Sequence, residues 1–328
     1  MRRALVPIDL GGSPVACLLR PPLRPPTSLD TARALVAQTR RDRLRPGDAL
    51  EVGLFHGGLP DDALLAALSG LPLRLSCSPA DLSPPAARRL LAQGVGTIEL
   101  EVLSFAPSAL RRLERGYTAH RAAAMLRALV RLGFRVGVVL APGLPWATEQ
   151  DDLDDARRLH APRPDLDHGL LPAHFVRVLP ALVWAGSRLA AEVEEGQWAP
   201  VSLPETIERV ARMADALEAN GVEIARIGWQ PAADLGVAVV AGPVHPDLRG
   251  RVEVLRFRGR LATALAGVPR GSLAALSVNP KDLGWAKGRS DENLRLLRAR
   301  LGLAGLQVRG DPAVARGQVR LRAPVLPR

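Results

Sequence analysis

Short apolar runs of four to eight residues alternate along this chain with longer stretches in which apolar side chains return every three or four positions. The first pattern is that of strands and the second that of amphipathic helices. Strands are predicted at Ala4–Asp9, Ala49–Phe55, Leu73–Ser76, Thr97–Leu103, Phe134–Ala141 and Phe175–Leu179, with a further one at Glu223–Gln230. Helices fall between them at about 29–42, 60–69, 83–94, 107–114, 119–132, 149–160, 187–195 and 203–220. Several have recognisable starts: Ser28 or Asp30, Thr118, and Ser202-Leu-Pro-Glu205, where a capping box carries Pro early in the helix. Strand followed by helix, repeated six or seven times, predicts parallel strands with crossover helices and an α/β fold, a partial (β/α)6-type TIM-like barrel over residues 1–235. The Pro-rich run at 20–26 can be neither helix nor central strand and reads as a loop in the first βα connection.

Beyond the last strand the rhythm changes. Residues 237–246, VAVVAGPVHP, read as a Gly/Pro-punctuated loop, followed by a helix near 247–266 and the turn GVPRGS. From Leu273 the pattern is strand, an NPKDLGW turn, a helix at 290–302, and two short strands around Gln307 and Val319. Residues 236–328 are thus expected to be a helical linker and a small α+β extension.

With 328 residues and 47% apolar content, both parts can bury a core. No run reaches the 18 or so apolar residues of a membrane span, and Pro7 and Asp9 interrupt the N-terminus before an apolar run develops, so a cytoplasmic protein without membrane contact is expected. The net charge of +11 is almost wholly arginine, because lysine occurs only at Lys281 and Lys287. Arginines recur through the helices, as in RRL (88–90), RRLER (111–115) and RRL (157–159), with no interleaved aromatics, which favours a solvated face over a nucleic-acid stripe. A small anionic ligand is compatible with either. The two cysteines, Cys17 and Cys77, cannot form a disulfide framework or a Cys-only zinc site.

The carboxylates and histidines Asp151, Asp152, Asp154, Asp155, His160, Asp165, Asp167 and His168 invite a metal reading. A helix opening at Thr148 explains the first four more simply, since carboxylates favour the first turn, and no metal is expected. His56 ends a strand and faces the expected pocket, where it could serve as acid, base or ligand. Ser76 and Ser104 lack His and Asp partners in triad order, and His174 begins a strand. Arg177 shares a strand face with Phe175 and Leu179, which in a barrel faces the lumen. A lumenal arginine needs a counter-charge: an anionic ligand, or Glu99 or Glu101 on an earlier strand. Both readings stay open.

The segments at the expected strand ends carry a family likeness. LFHGGLPDD (54–62), LRLSCSPADLS (73–83), GVGTIELEVLSF (94–105), RRLERGYTAH (111–120), APGLPWAT (141–148), 175–205, RIGWQP (226–231) and VVAGPVHP (239–246) resemble the radical S-adenosylmethionine (SAM) superfamily. The branch is the one holding the Elongator catalytic subunit and oxygen-independent coproporphyrinogen-oxidase-like proteins. Likeness is most specific from Phe175 to Pro246. The resemblance implies a C-x-x-x-C-x-x-C loop after the first strand, holding a [4Fe–4S] cluster to which SAM binds. Aligned through Pro7-Ile-Asp-Leu-Gly11, those three positions fall on Gly12, Ala16 and Leu19, and two cysteines cannot supply three thiolates. Ser78 stands where the family usually has an arginine before proline, and Leu103 where it has glutamine. Gly57-Gly58, Pro142-Gly143-Leu144-Pro145, Arg115-Gly116-Tyr117-Thr118 and Ile227-Gly228-Trp229-Gln230-Pro231 persist. Family members also have a histidine at His245, which suits a loop-locking role.

The implied function is a divergent, degenerate radical SAM protein without 5'-deoxyadenosyl radical chemistry, with no [4Fe–4S] cluster, that binds a small anionic ligand or a protein partner. A vestigial SAM or ligand pocket is expected around Gly57, Gly58, Ser104 and Arg177. The alternative is a SAM-binding enzyme that modifies tRNA or a small molecule with an altered or partner-completed cofactor site. A tRNA-facing role has less support, because no acetyltransferase domain follows before residue 328 and the arginines are dispersed.

Overall fold

Seven strands form one wholly parallel sheet: β1 (Arg3–Asp9), β2 (Ala49–Phe55), β3 (Leu73–Cys77), β4 (Val95–Leu103), β5 (Arg135–Leu140), β6 (Phe175–Val178) and β7 (Glu223–Ile227). The structure is a computed structural model and describes residues 3–9, 27–42, 49–55, 58–167, 169–229 and 239–325. Spatial order equals chain order, so every crossover steps one strand in the same direction. Such winding makes part of a barrel rather than a doubly wound layer. Among the described residues β1 and β7 do not pair, and the half-barrel is open.

The strands alternate strictly. Val52, Leu54, Leu75, Ile98, Leu100, Val136, Val138, Val176 and Val178 are fully buried on the side that receives the helices. Their neighbours Glu51, Arg74, Ser76, Thr97, Glu99, Glu101 and Arg177 point the other way, into the lumen. The helices are α1 (Leu29–Asp42), α2 (Asp62–Ala67), α3 (Pro84–Ala92), α4 (Pro107–Arg112), α5 (Ala119–Arg131), α6 (Glu149–Arg158), α7 (Arg188–Glu194) and α8 (Leu203–Ala219). Ser83, Thr118, Ser187 and Ser202 each cap a helix by accepting a backbone N–H from three residues on, and Thr148 with Asp151 closes a full capping box.

The chain divides into two compact units, residues 1–246 and 247–328, where the sequence pattern set the change of rhythm at 235/236. In the second unit, α9 (Leu248–Ala264), α10 (Leu283–Lys287) and α11 (Glu292–Leu301) pack on a three-stranded sheet. Its central strand β8 (Leu273–Val278) is parallel to β9 (Gly305–Gly310) and antiparallel to β10 (Val319–Val325). Phe257, Leu261, Leu276, Val278, Leu297 and Val308 form the core. Two expectations change. The NPKDLGW segment is not an open turn but a 3₁₀ turn running into α10, and Val239–Ala241, expected within a loop, pairs antiparallel with Val183–Trp184. The Pro-rich run at 20–26 lies outside the described residues.

Candidate functional site

The half-barrel lumen is built from charged and polar side chains. Glu99, with no exposed surface, sits at its centre on β4 and accepts from two arginines: Arg177 Nη1 of β6 at 2.7 Å through one oxygen, and Arg74 of β3 through the other. Arg74 continues to Glu51 of β2 at 3.9 Å, and Thr97 Oγ1 donates to the same carboxylate at 3.3 Å. Of the two counter-charges open to Arg177, the structure supplies the carboxylate of Glu99. Register explains how: Glu99 stands beside Ser76 on one side and Gly137 on the other, one strand from Arg74 and two from Arg177.

Phe175 lies across the floor of this network. Its ring meets the Arg74 and Arg135 guanidiniums, each 4.4 Å from the centroid. The ring also covers Gly137, where a Cβ would come within 2.2 Å of it, so only glycine fits there. Towards the strands' C-terminal ends the lumen opens. There Ser76 Oγ donates to Glu101 Oε1 at 3.0 Å, Arg177 stands over the Phe55 ring at 5.5 Å, and strand register sets Arg226 beside Arg177.

The end of β4 is held in a constrained shape. Leu103 has φ of 65°, and Ser104 N donates to the Val102 carbonyl across it at 2.8 Å. Arg115 Nη2 and the Tyr117 hydroxyl both donate to the Glu101 carbonyl, and Tyr117 also reaches Val102 O at 2.7 Å. The persistent Arg115-Gly116-Tyr117-Thr118 motif therefore pins β4 from below and caps α5. Ser104, expected beside the pocket, is fully buried; its hydroxyl donates to Asp155 Oδ2 at 2.6 Å and accepts from Ala106 N. Asp155 also accepts from Phe105 N. Burial pushes the Asp155 carboxyl up to about 7, against the lowering effect of those hydrogen bonds. One turn earlier, Asp152 accepts from Gly143 N at 3.0 Å and from Arg209 Nη1 at 2.8 Å, and its carboxyl too is raised by burial. Gly143 has φ of 81° and its turn carries Leu144 into an apolar cluster with Leu113, Ala141 and Ala181. That cluster covers the strand ends on the β4–β6 side.

Among the described residues no group of three or more His, Cys, Asp or Glu could hold a metal. Asp151 closes the capping box and Asp154 bonds Gln150 and Arg157, as expected of a helix start, but Asp152 and Asp155 were not legible as anchors. Their three-residue spacing on one face, with Ala156 following, is the signal that could have shown it. His174 Nδ1 accepts from Val136 N at 3.0 Å, and burial, then Arg135, lowers its pKa. Gly58 is half-buried, and a Cβ there would meet nothing within 4 Å. Cys77 is fully buried on the helix side of β3. Burial pushes its thiol far up, and Glu101, Asp81 and Glu99 push it further. His56, Gly57 and the aligned cluster positions Gly12, Ala16 and Leu19 lie outside the described residues, as do Cys17 and His168.

Residues 173–256 match the Radical_SAM C-terminal domain. The structure is similar to that of the archaeal Methanocaldococcus infernus Elp3 carrying an N-terminal deletion, with a TM-score of 0.59 and 18% identity over 76% of this chain and 61% of that one. It is also similar to coproporphyrinogen III oxidase (HemN) from Escherichia coli, a radical SAM enzyme, with a TM-score of 0.46 and 14% identity over 67% and 53% of the two chains. The chain thus spans less than two thirds of the length of either. No curated protein matches it. The fold is the half-barrel of the radical SAM superfamily, and no helix among the described residues is long and apolar enough to cross a membrane.

Proposed function

From the radical SAM fold as premise, we propose that this chain builds no iron–sulfur cluster and acts as a ligand-binding protein, taking a small anionic ligand at the C-terminal mouth of the half-barrel. The cysteine supply carries the first part. Three thiolates are needed to hold a [4Fe–4S] cluster, and the chain has Cys17 and Cys77. Cys77 is removed from that count because its thiol, buried on the helix side with the charges of Glu101, Asp81 and Glu99 adding to the effect of burial, resists ionisation. The residues present do not fit the cluster.

The mouth carries the second part. In the floor the carboxylates of Glu51 and Glu99 are balanced by Arg74 and Arg177, where charges must be paired. Towards the mouth, strand register sets Arg226 beside Arg177, and neighbouring guanidiniums favour an incoming carboxylate or phosphate. The space at Gly58 supports a second reading, in which SAM itself, which carries a carboxylate, is the ligand.

Anaerobic incubation with iron and sulfide, followed by metal and acid-labile sulfide counts, tests the proposal. Substoichiometric iron without a stable visible chromophore is expected; a stoichiometric cluster in the isolated chain would overturn it. Calorimetry with SAM on the same preparation separates the two ligand readings.

A further inference from the structure

The charge of the chain is not spread over it. Residues 1–246 contain 27 Lys and Arg and 27 Asp and Glu, a formal charge of zero, whereas residues 247–328 contain 17 against 6 and carry the whole +11. A compositional preference for arginine acts on both units alike. The neutral barrel unit is therefore an internal control, and composition does not explain the second unit.

Nor do internal ion pairs absorb the excess. Glu253 is taken by Arg256, Asp282 by Arg316 at 2.5 Å, Asp311 by Arg322 at 3.5 Å, Glu292 by Arg258 and Asp291 by Lys287, while Asp247 caps α9 through Gly250 N. Arg298, Arg300 and Arg320 are exposed and make no ion pair among the described residues.

The sheet organises part of this charge. Leu276, Val278, Val308 and Leu321 face the helices. The opposite face presents two cross-strand rows, Gln307–Ala275–Arg322 and Arg309–Ser277–Arg320. Small residues run down the middle and three exposed arginines flank them. Arg309 and Arg320 stand two strand spacings apart, roughly 10 Å. Arg322 Nε donates to Ser277 Oγ at 2.7 Å and Arg309 Nη2 to Gln307 Oε1 at 3.0 Å, so two of the three guanidiniums are held in place. No side chain of these rows is aromatic, which excludes base stacking as the main contact.

We propose that this arginine-covered sheet face binds the phosphate backbone of a nucleic acid without reading its sequence, through Arg309, Arg320 and Arg322. The inference rests on the second unit alone and is independent of the ligand proposed for the barrel. Binding through phosphates releases counterions, so affinity falls with salt by about 0.7 log units per log unit for each contact to a single strand.

The test uses the full chain and a labelled oligouridine of about 20 nucleotides, titrated by fluorescence anisotropy between about 50 and 200 mM KCl. Arg309, Arg320 and Arg322 are changed together to alanine, and in a second protein to lysine. Arg111, Arg131 and Arg163 of the barrel unit, all exposed, are changed to alanine as a charge-matched control. The alanine triple is expected to lose affinity on the order of tenfold or more and to flatten the salt slope by roughly two, while the lysine triple keeps the slope and the control keeps both. The proposal is overturned if wild-type protein does not bind, if the sheet and control triples weaken binding equally, or if anionic lipid vesicles are bound in place of the oligonucleotide. Should the alanine triple fail to fold, loss of the slope in the lysine triple overturns it as well.

Discussion

Glu99 holds two guanidiniums in the middle of the lumen with no exposure to water, and that position sets the cost of disturbing it. Replacing it by glutamine leaves Arg74 and Arg177 buried against a neutral amide. Removing one partner of a buried pair costs roughly 3–5 kcal/mol, so urea denaturation of Glu99→Gln should show a loss of that order, with m unchanged. A loss no greater than that of a surface charge change would mean the network contributes nothing. The sequence showed Arg177 and its two candidate partners, because alternation puts Phe175 and Arg177 on one face. It did not single out Arg74 or Glu51. Each is one residue in a short strand, and which charges meet depends on register across β2, β3 and β4, which no local pattern records.

At the scale of elements, α6 is the piece that ties the strand ends together. Asp152 reaches the turn after β5 and Asp155 the turn after β4, so one helix face fixes both loops. The helix itself was legible from Thr148 and the carboxylates behind it. Its anchoring was not, since carboxylates in a first turn already have a local explanation in the dipole. Burial raises Asp155 to about 7, above its value in the unfolded chain, so the folded state binds the proton more tightly. The stability this gives is full below the ordinary carboxylate range and is lost as pH rises through about 7. Asp152 acts in the same direction, and His160 and His174, both lowered, act in the opposite one. Comparing wild type with Asp155→Asn cancels those three. The urea midpoint of wild type should fall relative to that of the variant between about pH 5 and pH 8. Parallel pH profiles would show that Asp155 is ordinary.

For the whole molecule, the order of strands and helices was readable almost to the residue, because each strand is a short apolar run separated from the next by a capped amphipathic helix. The segment at 239–241 was read as loop because its glycine and proline follow closely, while the pairing that makes it a strand comes from Val183–Trp184, over fifty residues earlier. The uneven charge was already readable at the 235/236 boundary, because residues 236–246 hold no Lys, Arg, Asp or Glu; the placement of three arginines on one sheet face was not, since it depends on strand register. For the barrel unit the proposal is a retained fold without radical chemistry. The most direct measurement is formation of 5'-deoxyadenosine from SAM by the full chain after anaerobic treatment with iron and sulfide and addition of a strong reductant. No product above that given by a Cys17→Ser variant is predicted; catalytic turnover that disappears in that variant would contradict the account.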